Sequence, residues 1–205
     1  MKTIYILVAL LPLLLTVSCD EDAIFDNDRR VTGFGDYESE SVVVDDFDAI
    51  DLENVSNVYV TTGRDRKVVF TAYENILPYM EAVVIGDELV LRFNKNINVN
   101  SDKEICVDIS VPSIDEVTLS GVGNFYLKGP YQGSLHLNLD GVGNIEAYDL
   151  PVDRASVDIN GNGNVKINAK ELLEVDIDGL GNVYYKGDPK LSIDINGLGE
   201  VIRGD

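Results

Sequence analysis

The chain has no tryptophan, a single histidine, two cysteines, and 16 lysines and arginines against 36 acidic residues in 205. Each shortage removes a class of function. One histidine, His136, can build neither a histidine metal cluster nor a Ser-His-Asp triad, and it reads as a solvated surface residue. No Cys-x-x-Cys, Gly-x-Ser-x-Gly or Walker phosphate loop is spelled anywhere. A net charge of −20 excludes nucleic acid as a partner, because phosphate backbones are bound by clustered lysine and arginine. No apolar run is long enough to span a bilayer. No catalytic residue, metal site or cofactor is therefore expected.

The longest apolar run begins the chain. Lys2, the stretch Ile4 to Leu15 and then Thr16-Val-Ser-Cys19 form a charged start, an apolar centre and a small residue before a cysteine. That order is a secretory leader, residues 1–18. Val17-Ser18-Cys19 resembles the bacterial lipobox, with Thr16 where leucine is usual, which implies acylation of Cys19 and a membrane attachment made through that lipid. The acidic Asp20-Glu21-Asp22 resembles the signal that sends some Gram-negative lipoproteins to the outer face of the outer membrane, so a cell-surface lipoprotein is expected. Loss of the leader removes Lys2 and no acid, taking the net charge to −21. Anionic head groups would repel such a chain, leaving the lipid as the anchor. Residues 19–40 are polar and acidic and read as a flexible tether.

The rest of the chain is organised by one phrase that recurs five times: Ser120-Gly-Val-Gly-Asn124, Asp140-Gly-Val-Gly-Asn144, Asn160-Gly-Asn-Gly-Asn164, Asp178-Gly-Leu-Gly-Asn182 and Asn196-Gly-Leu-Gly-Glu200. Successive first glycines are 20, 20, 18 and 18 residues apart, and a fixed period near 20 indicates stacked repeats that bury one another's apolar faces. Before each phrase the chain alternates, as in Val157-Asp-Ile159 and Ile193-Asp-Ile195, which is the period of a half-buried strand. After it comes a second short strand. The expected interior columns are Val117, Leu137, Val157, Val175, Ile193 and Leu119, Leu139, Ile159, Ile177, Ile195. The expected fold is all-β, a right-handed parallel β-helix solenoid with an irregular β N-terminal half.

The corner glycines (Gly121, Gly123, Gly141, Gly143, Gly161, Gly163, Gly179, Gly181, Gly197, Gly199) supply positive φ or close backbone approach. Asn124, Asn144, Asn164 and Asn182 fall in register, where an amide ladder can satisfy corner backbone groups. The phrase superficially resembles calcium-binding nonapeptide repeats, but its period is twice theirs and it lacks their aspartate after the second glycine. Upstream, Phe47-Asp-Ala-Ile50 through Val58-Tyr-Val60 aligns with Val175 through Tyr185, with Asn54 and Ser56 replacing the glycines. Further strands are read at Val68 to Ala72, Ala82 to Ile85, Leu89 to Phe93 and Ile105 to Val111, and one helical turn between Glu74 and Met80. Cys106, without a partner once Cys19 is acylated, reads as a packed strand residue.

Arg30-Val-Thr-Gly33, Phe47-Asp-Ala-Ile50, Val58-Tyr-Val60 with Gly63, Val111-Pro112 and the run of Gly-x-Gly-Asn phrases together resemble the auto-transporter adhesin head GIN domain family, over about residues 40 to 205. The resemblance implies a GIN-type domain at 41–205, with 41–115 irregular and 116–205 regular, and no catalytic residues. It also implies an adhesive role. The candidate binding face consists of Asp140, Asp158, Asn160, Asp176, Asp178, Asp194 and Asn196, beside the outward tyrosines Tyr126 and Tyr184; its expected partner is an extracellular glycan or protein. Oligomeric state is not readable. The enzyme alternative is a polysaccharide lyase or hydrolase using Asp158, Asp176, Asp178 and Asp194 as paired carboxylates, and the absence of an arginine beside those strands argues against a lyase. A purely structural envelope scaffold is the other alternative. Terminal Arg203-Gly204-Asp205 spells an integrin-binding tripeptide, which chance explains.

Overall fold

A computed structural model describes residues 29–94 and 97–204 of the chain. Cys19, the leader and Asp20-Glu21-Asp22 lie outside the described residues. The strands are β1 (Arg29–Thr32), β2 (Tyr37–Val42), β3 (Ala49–Leu52), β4 (Val55–Thr61), β5 (Lys67–Tyr73), β6 (Met80–Ile85), β7 (Glu88–Phe93), β8 (Ile97–Asn100) and β9 (Cys106–Ser110) in the first half. The second half carries β10 (Glu116–Leu119), β11 (Val122–Lys128), β12 (Gln132–Leu139), β13 (Val142–Ile159), β14 (Asn162–Ile177), β15 (Val183–Lys186), β16 (Lys190–Ile195) and β17 (Val201–Arg203). A 3₁₀ turn at Leu77–Tyr79 realises the single helical turn read before β6. β1 and the first residues of β2 lie within the stretch 19–40 that the sequence reads as tether.

The all-β expectation holds, and the solenoid is corrected. Fifteen strands form one sheet in the order β2-β5-β9-β4-β11-β13-β12-β10-β3-β7-β6, with β14 paired to β13, β15 and β16 and β17 paired to β15. That sheet is a nearly closed barrel of mixed strand order rather than a right-handed parallel β-helix. Two features that the repeat period could not reveal explain the difference. The pairs β2–β5, β5–β9 and β6–β7 are antiparallel. Moreover, β13 and β14 run unbroken through both columns of strands and join them into one sheet.

Within the sheet, the repeat residues meet their equivalents on parallel neighbours. Val117 pairs with Leu137, Val157 with Val175, and Asn124 with Asn144. The first half is continuous with the second, since Ser56 pairs with Gly123 and Asn57 with Asn124, as the alignment of the worn copy requires. Between β13 and β14 the register slips at Ala147/Pro151 and again at Val152/Arg154. From Ala147 to Arg154 is seven residues and from Ile167 to Leu172 only five, which accounts for the shortening of the repeat from 20 residues to 18.

Alternation drives the packing. Ile145, Ala147, Leu150, Val152, Ala155, Val157 and Ile159 of β13 are all buried, the phase stepping at each bend of the strand. Both expected columns are buried through Val175 and Ile177. Their last members are not: Ile193 is 46% and Ile195 39% exposed, because β16 pairs with β14 alone among the described strands. Among the described residues no helix is long and apolar enough to cross a membrane.

Candidate functional site

The acidic candidates stand on one column of strands. Thr118, Asn138, Asp158, Asp176 and Asp194 occupy equivalent outward positions on β10, β12, β13, β14 and β16. Neighbouring rungs in a sheet are about 4.8 Å apart, so the aspartates repel one another. Partial desolvation, reinforced by Asp178, Asp194 and Asp158, raises the Asp176 carboxyl above its ordinary pKa. Asp140, Asn160, Asp178 and Asn196 lie just beyond, at the corner, all exposed, and Asn160 donates to Asp140 Oδ1 at 2.8 Å. His136, read as a solvated residue, is engaged: its Nε2 lies 2.5 Å from Asp158 Oδ2 and its Nδ1 3.9 Å from Glu116 Oε1. Arg154, which the argument against a lyase overlooked, sits on β13 four residues before Asp158 and faces Glu171 at 3.7 Å. Among the described residues no three His, Cys, Asp or Glu side chains converge as a metal site.

The corner itself is built from the glycine phrases. Gly123, Gly143 and Gly163, the second glycines of their phrases, have φ of 147° to 156°. The first glycines do not take positive φ; they are required by close approach, as a Cβ on Gly161 would lie 2.1 Å from Gly141 O. The amide ladder forms. Asn124 Oδ1 accepts the Asn144 backbone N–H and side-chain amide at 3.1 and 2.9 Å, and Asn144 and Asn164 repeat the arrangement one rung on. Asn57 begins the series, accepting from Asn124, and Glu200 N–H ends it on Asn182 Oδ1. Between the glycines, and between Asn54 and Ser56 in the first copy, Val55, Val122, Val142, Leu180 and Leu198 are each about half exposed or more and make an aliphatic ridge broken only by Asn162.

Tyr126 and Tyr184 are on the other column of strands, so the two tyrosines and the aspartates do not share one surface. Their outward row runs Tyr59, Tyr126, Glu146, Lys166, Tyr184, Ile202 across β4, β11, β13, β14, β15 and β17. Tyr59 stacks on Tyr126 with ring centroids 4.9 Å apart and planes at 12°. Its hydroxyl donates to Glu104 Oε1 at 2.9 Å, and burial together with that carboxylate raises its pKa. The Asn57 amide and the Tyr59 hydroxyl hold Glu104 below the usual carboxylate range against the opposing effect of burial. Lys166 pairs with Glu146 at 2.9 Å, which raises its pKa, and Lys186 lies 4.4 Å over the Tyr148 ring. Tyr59, Tyr126, Leu127, Lys128, Glu146 and Tyr148 line a cleft of about 120 Å³.

Sequence reasoning missed most of this cluster. Tyr59 was findable, since the alignment of Asn57-Val-Tyr-Val60 with Asn182-Val-Tyr-Tyr185 matches it to Tyr184. Glu104 had no signal, because it reaches Tyr59 from a loop 45 residues away. Cys106 is free and half-buried, its thiol pushed up to about 11 by burial and by the Glu104 charge. Arg203 donates to Gly187 O and faces Asp188, so its guanidinium is engaged within the chain, and Asp205 lies outside the described residues.

No curated protein sequence matches the chain closely enough to count as a relative. A crystal structure of a "putative adhesin" from Bacteroides fragilis has a TM-score of 0.53 at 19% identity, covering 85% of this chain and 100% of that one. Another "putative adhesin", from Parabacteroides merdae, has a TM-score of 0.49 at 21% identity, covering 86% and 100%. Identities this low support the fold alone, and only the first TM-score carries that argument. The family model described as "Putative auto-transporter adhesin, head GIN domain" matches residues 46–134 and 116–189, together most of the chain, and the chain belongs to that family.

Proposed function

We propose that this chain is a non-catalytic recognition module of the bacterial envelope, held at the outer face of the outer membrane by a lipid on Cys19. The family match over residues 46–189 carries the reading. Two regular outward rows support it: carboxylate and amide groups on one column, tyrosines with Glu146 and Lys166 on the other. Groups repeated at about 4.8 Å suit an extended polymer, a glycan or the strand edge of another protein. Stacked tyrosines offer the apolar face on which a sugar ring packs, beside carboxylates that accept its hydroxyl protons.

A glycan array, run together with a pull-down from host and bacterial surface extracts, tests the reading. Wild type is expected to retain a ligand that either the Asp158→Ala/Asp176→Ala/Asp194→Ala variant or the Tyr126→Ala/Tyr184→Ala variant loses. If all three proteins retain the same material, or none retains any, an envelope scaffold becomes the better account. Metabolic labelling with radioactive palmitate tests the anchor separately. Label that persists in Cys19→Ala would remove it.

A further inference from the structure

The two ends of the sheet are finished differently. One end finishes in antiparallel pairs, β2 on β5 and β6 on β7, with β2 and β6 as its edge strands. At the other, β16 pairs only with β14 and β17 only with β15, leaving each with an open edge among the described residues. The side chains there belong to the interior. Leu191, Ile193 and Ile195 continue the buried positions Leu173, Val175 and Ile177 of β14, yet they are 38%, 46% and 39% exposed. An exposed, apolar, unpaired edge is a template for another strand.

We infer that the strand which covers this edge is β16 of a second copy of the chain, laid antiparallel about a two-fold axis through Ile193. The backbone sets the first condition. Asn196 N–H points back into the sheet, donating to Ile177 O at 2.9 Å, and groups alternate sides along a strand. Leu191, Ile193 and Ile195 therefore aim their N–H and C=O groups at the open edge. Pairing these with one another allows three registers, centred on Ser192, Ile193 or Asp194.

Side chains choose among them. A centre at Asp194 sets Asp194 opposite its own copy, a like-charge pair. A centre at Ser192 leaves Ile195 facing Pro189, which has no N–H to give. The centre at Ile193 sets Leu191 against Ile195 of the copy and Ile193 against itself, so all three interior side chains on each strand find apolar neighbours. It also sets Ser192 opposite Asp194 and Lys190 opposite Asn196, with Lys190 diagonal to Asp194 of the copy and within reach of it. The strand is self-complementary, which an isologous contact requires. Along the sheet, β2 is seven pairings from β16, about 34 Å at about 4.8 Å per step. The seam takes in the last members of the carboxylate and amide rows, Asp194 and Asn196, and leaves Asp158, Asp176 and the tyrosine row outside it.

Residues 20–205, which contain every described strand, are expected to sediment as a monomer–dimer equilibrium with a Kd of about 1 to 100 μM, the range of a small interface. Ile193→Lys should weaken the dimer at least about 10-fold while leaving the thermal midpoint unchanged, because the position is half exposed in the monomer. Register is tested in a Cys106→Ser background with diamide as oxidant. Ile193→Cys should cross-link to its copy, since opposed Cα atoms in a hydrogen-bonded antiparallel pair are about 5.5 Å apart. Leu191→Cys should not, because its copy lies about 14 Å away, four residues along the strand. A monomer at about 100 μM, an Ile193→Lys protein that dimerises as well as wild type, a ladder of larger oligomers, or equal cross-linking by the two cysteines would each overturn the proposal.

Discussion

A Cβ built on Gly143 would lie 1.6 Å from the carbonyl oxygen of Gly123, one rung away, and the same contact recurs between Gly163 and Gly143 at 1.5 Å. The corner is thus packed backbone against backbone, with no flexible side chain that could yield. Gly143→Ala should cost about 3 kcal/mol or prevent folding. Gly86→Ala separates the two effects of adding a methyl, since Gly86 has φ of 68° with nothing within 4 Å; it should cost about 1 kcal/mol. Gly133→Ala, open and without positive φ, should change stability by less than about 0.5 kcal/mol. Urea unfolding of the three variants checks the ranking, and similar midpoints would remove the close-approach account.

Legibility in the sequence followed how local each constraint is. The pairing of Asn124 with Asn144 and the burial of Ile145 or Val157 could be read, because a glycine phrase and a two-residue alternation mark their own positions. Closure could not. Whether Val68 to Ala72 runs parallel or antiparallel to its neighbour depends on β9, which carries no repeat phrase. The same limit hid the split of the candidate site, since β13 and β14 pass through both columns and only their bends send Glu146 and Asp158 to different surfaces. Ile193 and Ile195 looked like core residues from their own pattern, and only the missing neighbour of β16 exposes them.

The asparagine ladder should be a stability element. Asn144 Oδ1 accepts the Asn164 backbone N–H at 3.1 Å in a half-buried corner. Asn144→Ala leaves that donor without its partner, and a buried donor left unmade costs about 1 to 3 kcal/mol. Hydrogen exchange should report the loss locally, with the Asn164 amide exchanging faster than in wild type. An Asn144→Ala protein whose Asn164 protection is unchanged would show that the ladder does not hold the corner.

Stability should also depend on pH with two opposite signs. Burial raises the pKa of Asp51, opposed by Ser120 and helped by the charges of Glu53 and Asp140, and its Oδ1 is buried without a partner. A carboxyl raised in the folded state is protonated more readily there than in the unfolded chain, so folding gains as pH falls from neutrality toward its ordinary value of 3.8. Asp51→Asn should accordingly raise the melting temperature at pH 7 by a few degrees, and the advantage should shrink near pH 4. Glu104 is lowered, chiefly by the Asn57 amide. Its contribution is present above the ordinary value of 4.5 and is lost as pH falls through the lower folded one. Glu104→Gln should therefore be less stable than wild type at pH 7 and converge with it in acid. Melts across this range check both slopes.

The carboxylate row should respond to ionic strength and not to calcium as a ligand. Asp158, Asp176 and Asp194 stand on successive parallel strands, and their mutual repulsion contributes to the raised pKa of Asp176. Calcium takes six to eight oxygen ligands arranged around it. A straight row on a sheet presents carboxylates from one side only, and the Asp158 oxygen nearest His136 is already engaged at 2.5 Å. Sodium chloride and calcium chloride matched in ionic strength should therefore raise the melting temperature alike, by screening the row. Replacing Asp158, Asp176 and Asp194 with asparagine should raise it at low salt and abolish most of the salt response, because the repulsion is removed at its source. Titration calorimetry is expected to show no saturable heat with calcium. A saturable isotherm at micromolar calcium, lost in the asparagine variant, would show instead that the row closes around the ion and that the flat geometry described above changes on binding.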